Sequence, residues 1–288
     1  MKRNPLLVTA LMFVLGSMLL AAEPVVEKPF NGTNLDGWKF NGKSENCWEV
    51  GNLKADETTM ELLPLRLPPE SVVLFSSPPR RREARVMTWR VQRLDSRQRG
   101  NDGILLPSKS PKASEKGCLI NLVDADWNQA NPRKGVDIYT VEKFGDCTVK
   151  LEFLITKKSN SGVYLMGEYE VQISDSFGKP NDKLGQGDMG AIYSAAVPST
   201  NASREAGTWQ KFEIEFVAPK FDTEGNKTAN GLFKKVVLNG KVVQKNVEVE
   251  KPTGGGLTMK EAPTGPLMLQ GNHGPIAFRN IEIFVNKQ

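Results

Sequence analysis

The stretch from Ser159 to Asp175, SNSGVYLMGEYEVQISD, constrains the fold more than any other part of the chain. Its side chains alternate in character on both sides of Met166-Gly167-Glu168, and this pattern predicts two short strands joined by a tight turn. The apolar set of the second strand is Tyr169, Val171 and Ile173. Glu170 and Gln172 then lie on the opposite face. The stretch therefore predicts a sheet with one face in a core and with acidic and amide groups on the other.

The same two-residue period recurs along the rest of the chain. It is clear in 145–155 and 209–218, and 233–249 reads as a hairpin around Asn239-Gly240, the residue pair that a type I′ turn needs. No amphipathic helix separates these runs. We therefore predict an all-β fold, an antiparallel sandwich of two sheets.

Residues 1–22 have the composition of a secretory signal peptide. Lys2-Arg3 precede an apolar run from Leu6 to Leu20 that is short for a membrane span, and Ala21-Ala22 follow. We predict cleavage near Ala22 and an exported protein, periplasmic or extracellular, with no membrane association after cleavage. Residues 23–288 are then long enough for one large β-domain or two smaller domains.

The window 57–116 departs from the strand pattern. It holds 12 basic and 7 acidic residues, which leaves 26 of each elsewhere, so the whole net charge of +5 lies in this window. Structureless stretches of this length are uncommon inside compact domains. Two explanations of this window remain open, a disordered insertion and a reading-frame error in the gene. The basic character is local, and a nucleic-acid partner is not predicted because the rest of the chain has no basic face with aromatic residues for stacking.

Several segments together resemble the 3-keto-disaccharide hydrolase family, an exported bacterial domain with a concanavalin-like jelly roll. The segments are FNGTNLDGW (30–38), KFGDCTVKLEF (143–153), NSGVYLMGEYEVQISDS (160–176), GAIYSAAVP (190–198), GTWQKFEIEF (207–216), VVLNG (236–240) and LMLQGNHGPIAFRNIEI (267–283). They keep their order and span most of the chain. The resemblance implies that residues 23–288 form a single antiparallel jelly-roll domain, similar to concanavalin and the lectins. The window 57–116 has no counterpart in the family's pattern.

The resemblance implies a carbohydrate substrate and a site on one sheet face. It implies an enzyme that hydrolyses 3-keto-glycosides or 3-keto-disaccharides by removing the proton next to the keto group, after which the anomeric leaving group departs. Glu170 and His273 are the expected catalytic residues, because such chemistry needs groups that can take and give a proton. The expected substrate-binding residues are Asn160, Glu168, Gln172, Gln270, Arg279 and Tyr193.

Each of these residues has a plainer interpretation. Glu170 and Glu168 also fit a solvated sheet face, His273 an inert loop position, and Arg279 a surface ion pair. No cofactor is predicted. Calcium is a weaker alternative, since Asp175, Asp182 and Asp188 flank a glycine-rich loop without matching a calcium motif.

The alternative function is a non-catalytic, lectin-like domain. It predicts exposed aromatic side chains in a row for stacking on sugar rings. The candidate stacking residues are Trp38, Trp48, Trp127, Trp209 and Tyr193. The sequence alone leaves the oligomeric state open.

Overall fold

The computed structural model describes residues 23–43, 46–55, 62–65, 117–121, 123 and 135–285, with the backbone alone for 52–55 and 62–65. The predicted signal peptide, most of the window 57–116 and Trp127 lie outside these residues, so those interpretations stay predictions. Within the described ranges, no helix is long and apolar enough to cross a membrane.

The described residues form sixteen strands and one short helix. The strands are β1 (Val25–Glu27), β2 (Trp38–Asn41), β3 (Trp48–Ala55), β4 (Leu62–Leu65), β5 (Cys118–Asn121), β6 (Asp137–Thr140), β7 (Cys147–Ile155), β8 (Asn160–Leu165), β9 (Tyr169–Ser174), β10 (Gln210–Val217), β11 (Lys220–Phe221), β12 (Lys227–Ala229), β13 (Gly231–Leu238), β14 (Lys241–Val249), β15 (Met268–Leu269) and β16 (Ile276–Val285). A single turn of 3₁₀ helix spans Asn181–Lys183.

The strands form two main antiparallel sheets. The larger sheet has the order β14-β13-β10-β7-β16-β5-β3-β4, with β1 paired to β16, and the smaller sheet has the order β2-β6-β15-β8-β9. Strands β11 and β12 form a separate pair. The predicted all-β sandwich is confirmed.

The core lies between the two main sheets. Along β10 every second residue is buried, because the period of two sends alternate side chains to opposite faces. Tyr169 of the smaller sheet meets Phe216 of the larger one, with their ring centroids 5.3 Å apart. The apolar residues of three alternating runs, 145–155, 169–174 and 209–218, are buried here, and they include Val149, Leu151, Phe153, Val171, Ile173, Phe212, Ile214 and Phe216.

Two tight turns have the backbone geometry that the sequence predicts. Asn239 and Gly240 both have positive φ, 51° and 85°, as a type I′ hairpin requires. Met166 and Gly167 have φ of 55° and 71°, and they join β8 to β9. The second turn fixes the register of the two strands, and Tyr164 therefore lies opposite Glu170.

Candidate functional site

One face of the smaller sheet packs on the core, and its other face carries a group of buried polar side chains. We call this second face the outer face. Across β8 and β9, Tyr164 pairs with Glu170 and Gly162 with Gln172. Gln270 directly follows the neighbouring strand β15, and its backbone N–H donates to the carbonyl of Gly162 at 3.0 Å. The outer-face residues are Asp137, Tyr139, Gly162, Tyr164, Met268, Gln270, Glu170 and Gln172.

Glu170 is a buried carboxyl group of this face, on β9, the last strand of the smaller sheet. The residue is 2% exposed, and its carboxyl lies over Gly162, where an added Cβ would be only 2.1 Å from Oε1. Burial raises the pKa of Glu170 to about 8; a hydrogen bond from Tyr164 lowers it in part, and the charge of Asp137 raises it further. Glu170 can therefore gain or lose a proton near neutral pH.

The glycine at 162 is needed for this position of Glu170. We expect Gly162→Ala to displace the carboxyl and to reduce turnover of the substrate proposed below by roughly 10²-fold, since catalysis depends on position at the level of an ångström. Gly187→Ala is the matched control, because no atom lies within 4 Å of its added Cβ. Steady-state kinetics of both variants tests this. Equal activity of the two would show that the position of Glu170 does not matter.

Asp137 is a second buried carboxyl group on the outer face, and sequence reasoning missed it. It is 7% exposed and accepts a hydrogen bond from the backbone N–H of Gly271 at 2.9 Å. Burial raises its pKa to about 6, against the lowering effect of this bond. The available signal was the run Val136-Asp137-Ile138-Tyr139, where alternation with Val136 and Ile138 turns Asp137 away from the core.

Tyr164 joins the groups of the outer face. Its hydroxyl accepts a hydrogen bond from Nε2 of Gln270 at 3.2 Å, lies 3.2 Å from the carbonyl oxygen of Gly254 and interacts with Glu170. Burial, followed by the charge of Glu170, raises the pKa of Tyr164 well above its usual range. Tyr164 therefore stays a neutral phenol that can donate a hydrogen bond.

Two buried amide oxygens on this face have no hydrogen-bond partner in the part of the chain that the structure describes. They are Oε1 of Gln172 and Oε1 of Gln270. A buried polar atom left unpaired costs about 1 to 3 kcal/mol, so a ligand that supplies donors there is favoured. Sugar hydroxyl groups are such donors. The amides, the two carboxyls and the phenol together suit an uncharged polyhydroxyl ring.

His273 lies in the loop that follows Gln270. The loop is fixed by Asn121, whose Nδ2 donates to the carbonyl oxygens of Gly271 at 2.8 Å and Gly274 at 3.1 Å. The ring of His273 is half-buried, and Nδ1 contacts Oδ1 of the neighbouring Asn272. Because Gly271 also binds Asp137, this loop is anchored beside Asp137. A proton-transfer partnership between His273 and Glu170 stays a prediction.

Glu168 has a structural position in this fold. Its Oε1 accepts hydrogen bonds from the backbone N–H and the hydroxyl of Thr258, at 2.9 and 2.6 Å, and its Oε2 accepts one from the N–H of Met259 at 2.9 Å. These three donors occupy both oxygens, and they tie the loop around Thr258 to the turn between β8 and β9. We therefore leave Glu168 out of the proposed ligand contacts.

Asn160 and Tyr193 lie at the margin of the outer face. Asn160 begins β8 opposite Ser174 and is partly exposed. Tyr193 is also partly exposed and covers Gly254, whose added Cβ would be 3.0 Å from Cε1 of the ring. The backbone N–H of Tyr193 donates to the carbonyl of Glu170 at 3.1 Å. Substrate binding by Asn160 and Tyr193 stays a prediction.

Arg279 lies on the larger sheet and not on the outer face of the smaller one. Phe278 fills the core, so alternation along β16 turns Arg279 to the opposite side. Its Nε is 2.7 Å from Oε2 of Glu152, and its guanidinium carbon is 3.9 Å from the centre of the Trp209 ring. This ion pair and stacking contact account for Arg279 without a substrate.

The other candidate stacking residues that the structure describes are not exposed in a row. Trp38 and Trp48 are buried in the core, and their Nε1 groups donate to the carbonyls of Pro29 at 2.8 Å and Val136 at 2.7 Å. Trp209 lies under Arg279 on the other sheet. The aromatic row expected of a lectin-like surface is therefore missing among these residues.

The acidic loop residues proposed for calcium have other contacts. Asp188 accepts hydrogen bonds from Lys179, Ser176 and the N–H of Gly185, and Asp175 accepts one from the N–H of Lys158. In the described part of the chain, no group of three or more His, Cys, Asp or Glu side chains is arranged to hold a metal ion.

An antiparallel sandwich with buried carboxyl and amide groups on one sheet face is an arrangement suited to binding a sugar. The chain belongs to the family of 3-keto-alpha-glucoside-1,2-lyase-like domains, whose sequence profile matches residues 26–284. The resemblance recognised in the sequence is thereby confirmed.

Solved structures give further similarities. A Parabacteroides distasonis protein provisionally assigned as a glycosyl hydrolase is 30% identical, with 59% of this chain and 72% of that chain covered and a TM-score of 0.47. A second such protein from the same organism is 15% identical over 91% of this chain and 94% of that chain, with a TM-score of 0.46. A carbohydrate-binding module from Bacillus subtilis is 12% identical over 51% of this chain and 80% of that chain, with a TM-score of 0.32. A search among curated proteins gave no match.

Proposed function

We propose that the protein cleaves 3-keto-glycosides by removing the proton at C2 of the oxidised sugar ring. The observation that carries this proposal is Glu170, a buried carboxyl with a pKa of about 8. Around it are the donor Tyr164 and the unpaired amide oxygens of Gln172 and Gln270. Membership of the 3-keto-alpha-glucoside-1,2-lyase-like family supports the choice of substrate.

The reaction begins at the bond between C2 and hydrogen. The ketone at C3 makes this proton acidic, and the carboxylate of Glu170 takes it while the electron pair moves to the C3 oxygen as an enolate. When the enolate collapses to the ketone, a C1–C2 double bond forms and the C1–O bond to the leaving group breaks. Water then adds its oxygen to C1, and a proton returns to C2. The net result is hydrolysis without an oxocarbenium ion.

Glu170 and the side chains around it can supply the base, the hydrogen-bond donor and the acid that this reaction needs. A base is most effective when its pKa is close to the working pH, as that of Glu170 is. The single O–H of Tyr164, which otherwise donates to Glu170, can turn to the enolate oxygen as charge develops there. Asp137 and His273 are the two candidates for the group that protonates the leaving oxygen, since a pKa of about 6 leaves a fraction of Asp137 protonated at neutral pH.

The catalytic interpretation is favoured over a lectin-like one by the same side chains. A binding surface has no need of a buried carboxyl that titrates near neutral pH, because such a group weakens the fold when it ionises. The described tryptophans, moreover, are buried or covered. An exported location fits this role and stays a prediction from residues 1–22.

Incubation of the protein with a 3-keto-glucoside tests the proposed function. We expect release of the leaving group and of 3-keto-glucose, and no release from the same glucoside with an ordinary hydroxyl at C3, because its C2 proton is not acidic. Chromatography of both mixtures measures this. Binding of the keto-glucoside without release would support the lectin-like alternative, and equal cleavage of the two glucosides would exclude C2 deprotonation.

A further inference from the structure

A segment of three consecutive glycines passes directly over the phenol of Tyr164. Gly254 and Gly255 are exposed to solvent, whereas Tyr164 beneath them is 1% exposed. A Cβ added at Gly255, where φ is 81°, would be only 2.9 Å from the Tyr164 hydroxyl. The carbonyl oxygen of Gly254 is 3.2 Å from the same hydroxyl. We call residues 254–256 the glycine arch, and it separates this phenol from solvent.

Both ends of the glycine arch are bonded to Glu168. At the first end, the N–H and the hydroxyl of Thr253 donate to the backbone carbonyl of Glu168, at 2.9 and 3.1 Å. At the second end, the side-chain oxygens of Glu168 accept the three hydrogen bonds from Thr258 and Met259. The arch is therefore fixed on both sides to the turn between β8 and β9.

The contact between Glu168 and Gly256 leaves no room for a side chain at position 256. A Cβ added there would be 2.3 Å from Oε2 of Glu168. Glu168 is 4% exposed, and a buried carboxyl group is unfavourable unless hydrogen bonds compensate for the lost water. All three donors come from the segment that follows the arch. The carboxyl of Glu168 and the arch therefore hold each other in place.

The glycine arch also reaches Glu170. Oγ1 of Thr253 accepts a hydrogen bond from the backbone N–H of Glu170 at 2.9 Å. The hydroxyl of Tyr164 has one proton and two acceptors in the protein, the carbonyl of Gly254 and the carboxyl of Glu170. Because the arch fixes the first acceptor and covers the phenol, it controls the direction of this proton and keeps water away from the contact between Tyr164 and Glu170.

We propose that Glu168 is a positioning residue, which acts through the glycine arch on the phenol of Tyr164 and through that phenol on the carboxyl of Glu170. The inference rests on the proposed function for the role of Glu170 as the base. Glu168 keeps the arch closed over Tyr164. The hydrogen bond from Tyr164 to Glu170 then forms away from water, where electrostatic interactions are stronger.

Two variants release the arch by different means. Glu168→Gln replaces one accepting oxygen with an NH2 group, which is a donor, and so removes at least one of the three hydrogen bonds. Gly256→Ala keeps Glu168 and displaces its carboxyl, because the new Cβ would overlap Oε2. We call these two the arch variants. Gly256→Ala decides the question if Glu168→Gln does not fold.

Each arch variant has a matched control. Glu261→Gln makes the same chemical change in the same loop. Glu261 accepts from the hydroxyl of Tyr169 at 2.5 Å and from Nζ of Lys227 at 2.8 Å, and it forms no hydrogen bond with the arch in the part of the chain that the structure describes. Gly187→Ala is the control for the added methyl group, since no atom lies within 4 Å of its new Cβ.

The first test observes Glu170 without catalysis. The full chain is labelled with carbon-13 at the glutamate side-chain carboxyls, and the NMR resonance that is missing from Glu170→Gln belongs to Glu170. Burial raises the pKa of Glu170 to about 8, and Tyr164 of β8 and Asp137 of β6, the titratable groups that act on it, are kept in every variant. We expect the midpoint to fall by about one pH unit in both arch variants, because water then reaches the carboxyl.

The controls should keep the midpoint of the unmodified protein. An unchanged midpoint in the arch variants, or an equal change in the controls, would overturn the inference. A change in Glu168→Gln with none in Gly256→Ala would be an effect of the lost charge alone, and it would overturn the inference as well.

The second test is steady-state kinetics with a 3-keto-glucoside. We expect kcat to fall by about 10-fold in both arch variants, since the reaction depends on position. KM should change little, because the amides of Gln172 and Gln270 form no hydrogen bond with the arch among the described residues. The controls should keep both constants.

The two tests separate this inference from the proposed function. If the unmodified protein does not cleave the keto-glucoside while the midpoint of Glu170 moves as expected, the effect of Glu168 on Glu170 stands and the proposed reaction fails. If the arch variants cleave it with the kcat of the unmodified protein, the reaction stands and Glu168 is not a positioning residue for it.

Discussion

Replacement of Glu170 by glutamine is expected to reduce turnover of a 3-keto-glucoside by roughly 10²- to 10⁴-fold, the usual contribution of a general base. The amide keeps the size of the side chain over Gly162 but cannot take the C2 proton. Steady-state kinetics with the keto-glucoside measures the effect. Full activity in the variant would remove Glu170 from the mechanism.

The same substitution is expected to stabilise the fold at neutral and alkaline pH. The pKa of Glu170 is raised from 4.5 to about 8 in the folded protein, mainly by burial. The folded state therefore holds the proton more tightly than the unfolded state, and stability is lost as pH rises from about 4.5 through 8. A pKa difference of this size corresponds to a loss of at most about 5 kcal/mol in the free energy of unfolding at alkaline pH. Glutamine does not ionise and escapes this loss.

Urea unfolding at pH 5, 7 and 9 measures this effect. The free energy of unfolding of Glu170→Gln should be close to that of the unmodified protein at pH 5 and should exceed it by a widening margin at pH 7 and 9. Glu205→Gln, at an exposed loop position, is the control and should leave the pH dependence unchanged. Parallel curves for the unmodified protein and Glu170→Gln would contradict a buried, shifted carboxyl.

Ile214→Ala is expected to lower the free energy of unfolding by about 2 to 5 kcal/mol. Ile214 is fully buried at the centre of β10, in register with Val149 on one side and Val236 on the other. Alanine leaves a cavity between the two sheets that the neighbouring strands cannot close. Denaturant unfolding gives the value.

The control for this substitution is its chain neighbour. Glu213→Ala removes a side chain on the opposite face of β10. The side chain of Glu213 is 33% exposed, and its Oε2 is 3.5 Å from Nζ of Lys150. Exposed pairs of this kind contribute less than about 1 kcal/mol. A loss for Ile214→Ala no larger than that for Glu213→Ala would place Ile214 outside the core.

Local patterns in the sequence were sufficient to predict the longer strands and the orientation of Glu170, whereas the short strands β1, β2, β4, β11 and β12 were not predicted. Alternation along 169–174 separates Val171 from Glu170 whatever the rest of the chain does, and Asn239-Gly240 specifies its own turn. These are short-range effects of backbone geometry. A few residues are enough to show them. The structure confirms the orientation of Glu170 and the turn at Asn239-Gly240.

Long-range contacts set the roles that the sequence alone did not predict. Glu168 resembles Glu170 in sequence, but donors about 90 positions away, at Thr258 and Met259, occupy it in the fold. Arg279 faces outward as alternation predicts, yet its strand belongs to the other sheet. Asp137 is brought beside Gln270 only by the pairing of β6 with β15. Local patterns do not show which distant strand becomes a neighbour.

Transfer of the C2 proton is the central claim, and a substrate labelled with deuterium at that carbon tests it most directly. The rate of leaving-group release is compared for the 3-keto-glucoside with hydrogen or deuterium at C2, and the released sugar is analysed by mass spectrometry against an enzyme-free control for spontaneous exchange. We predict that the deuterated substrate reacts more slowly and that the released sugar has lost deuterium beyond the control. Equal rates together with complete retention of deuterium at C2 would show that the bond to the leaving group breaks without removal of that proton.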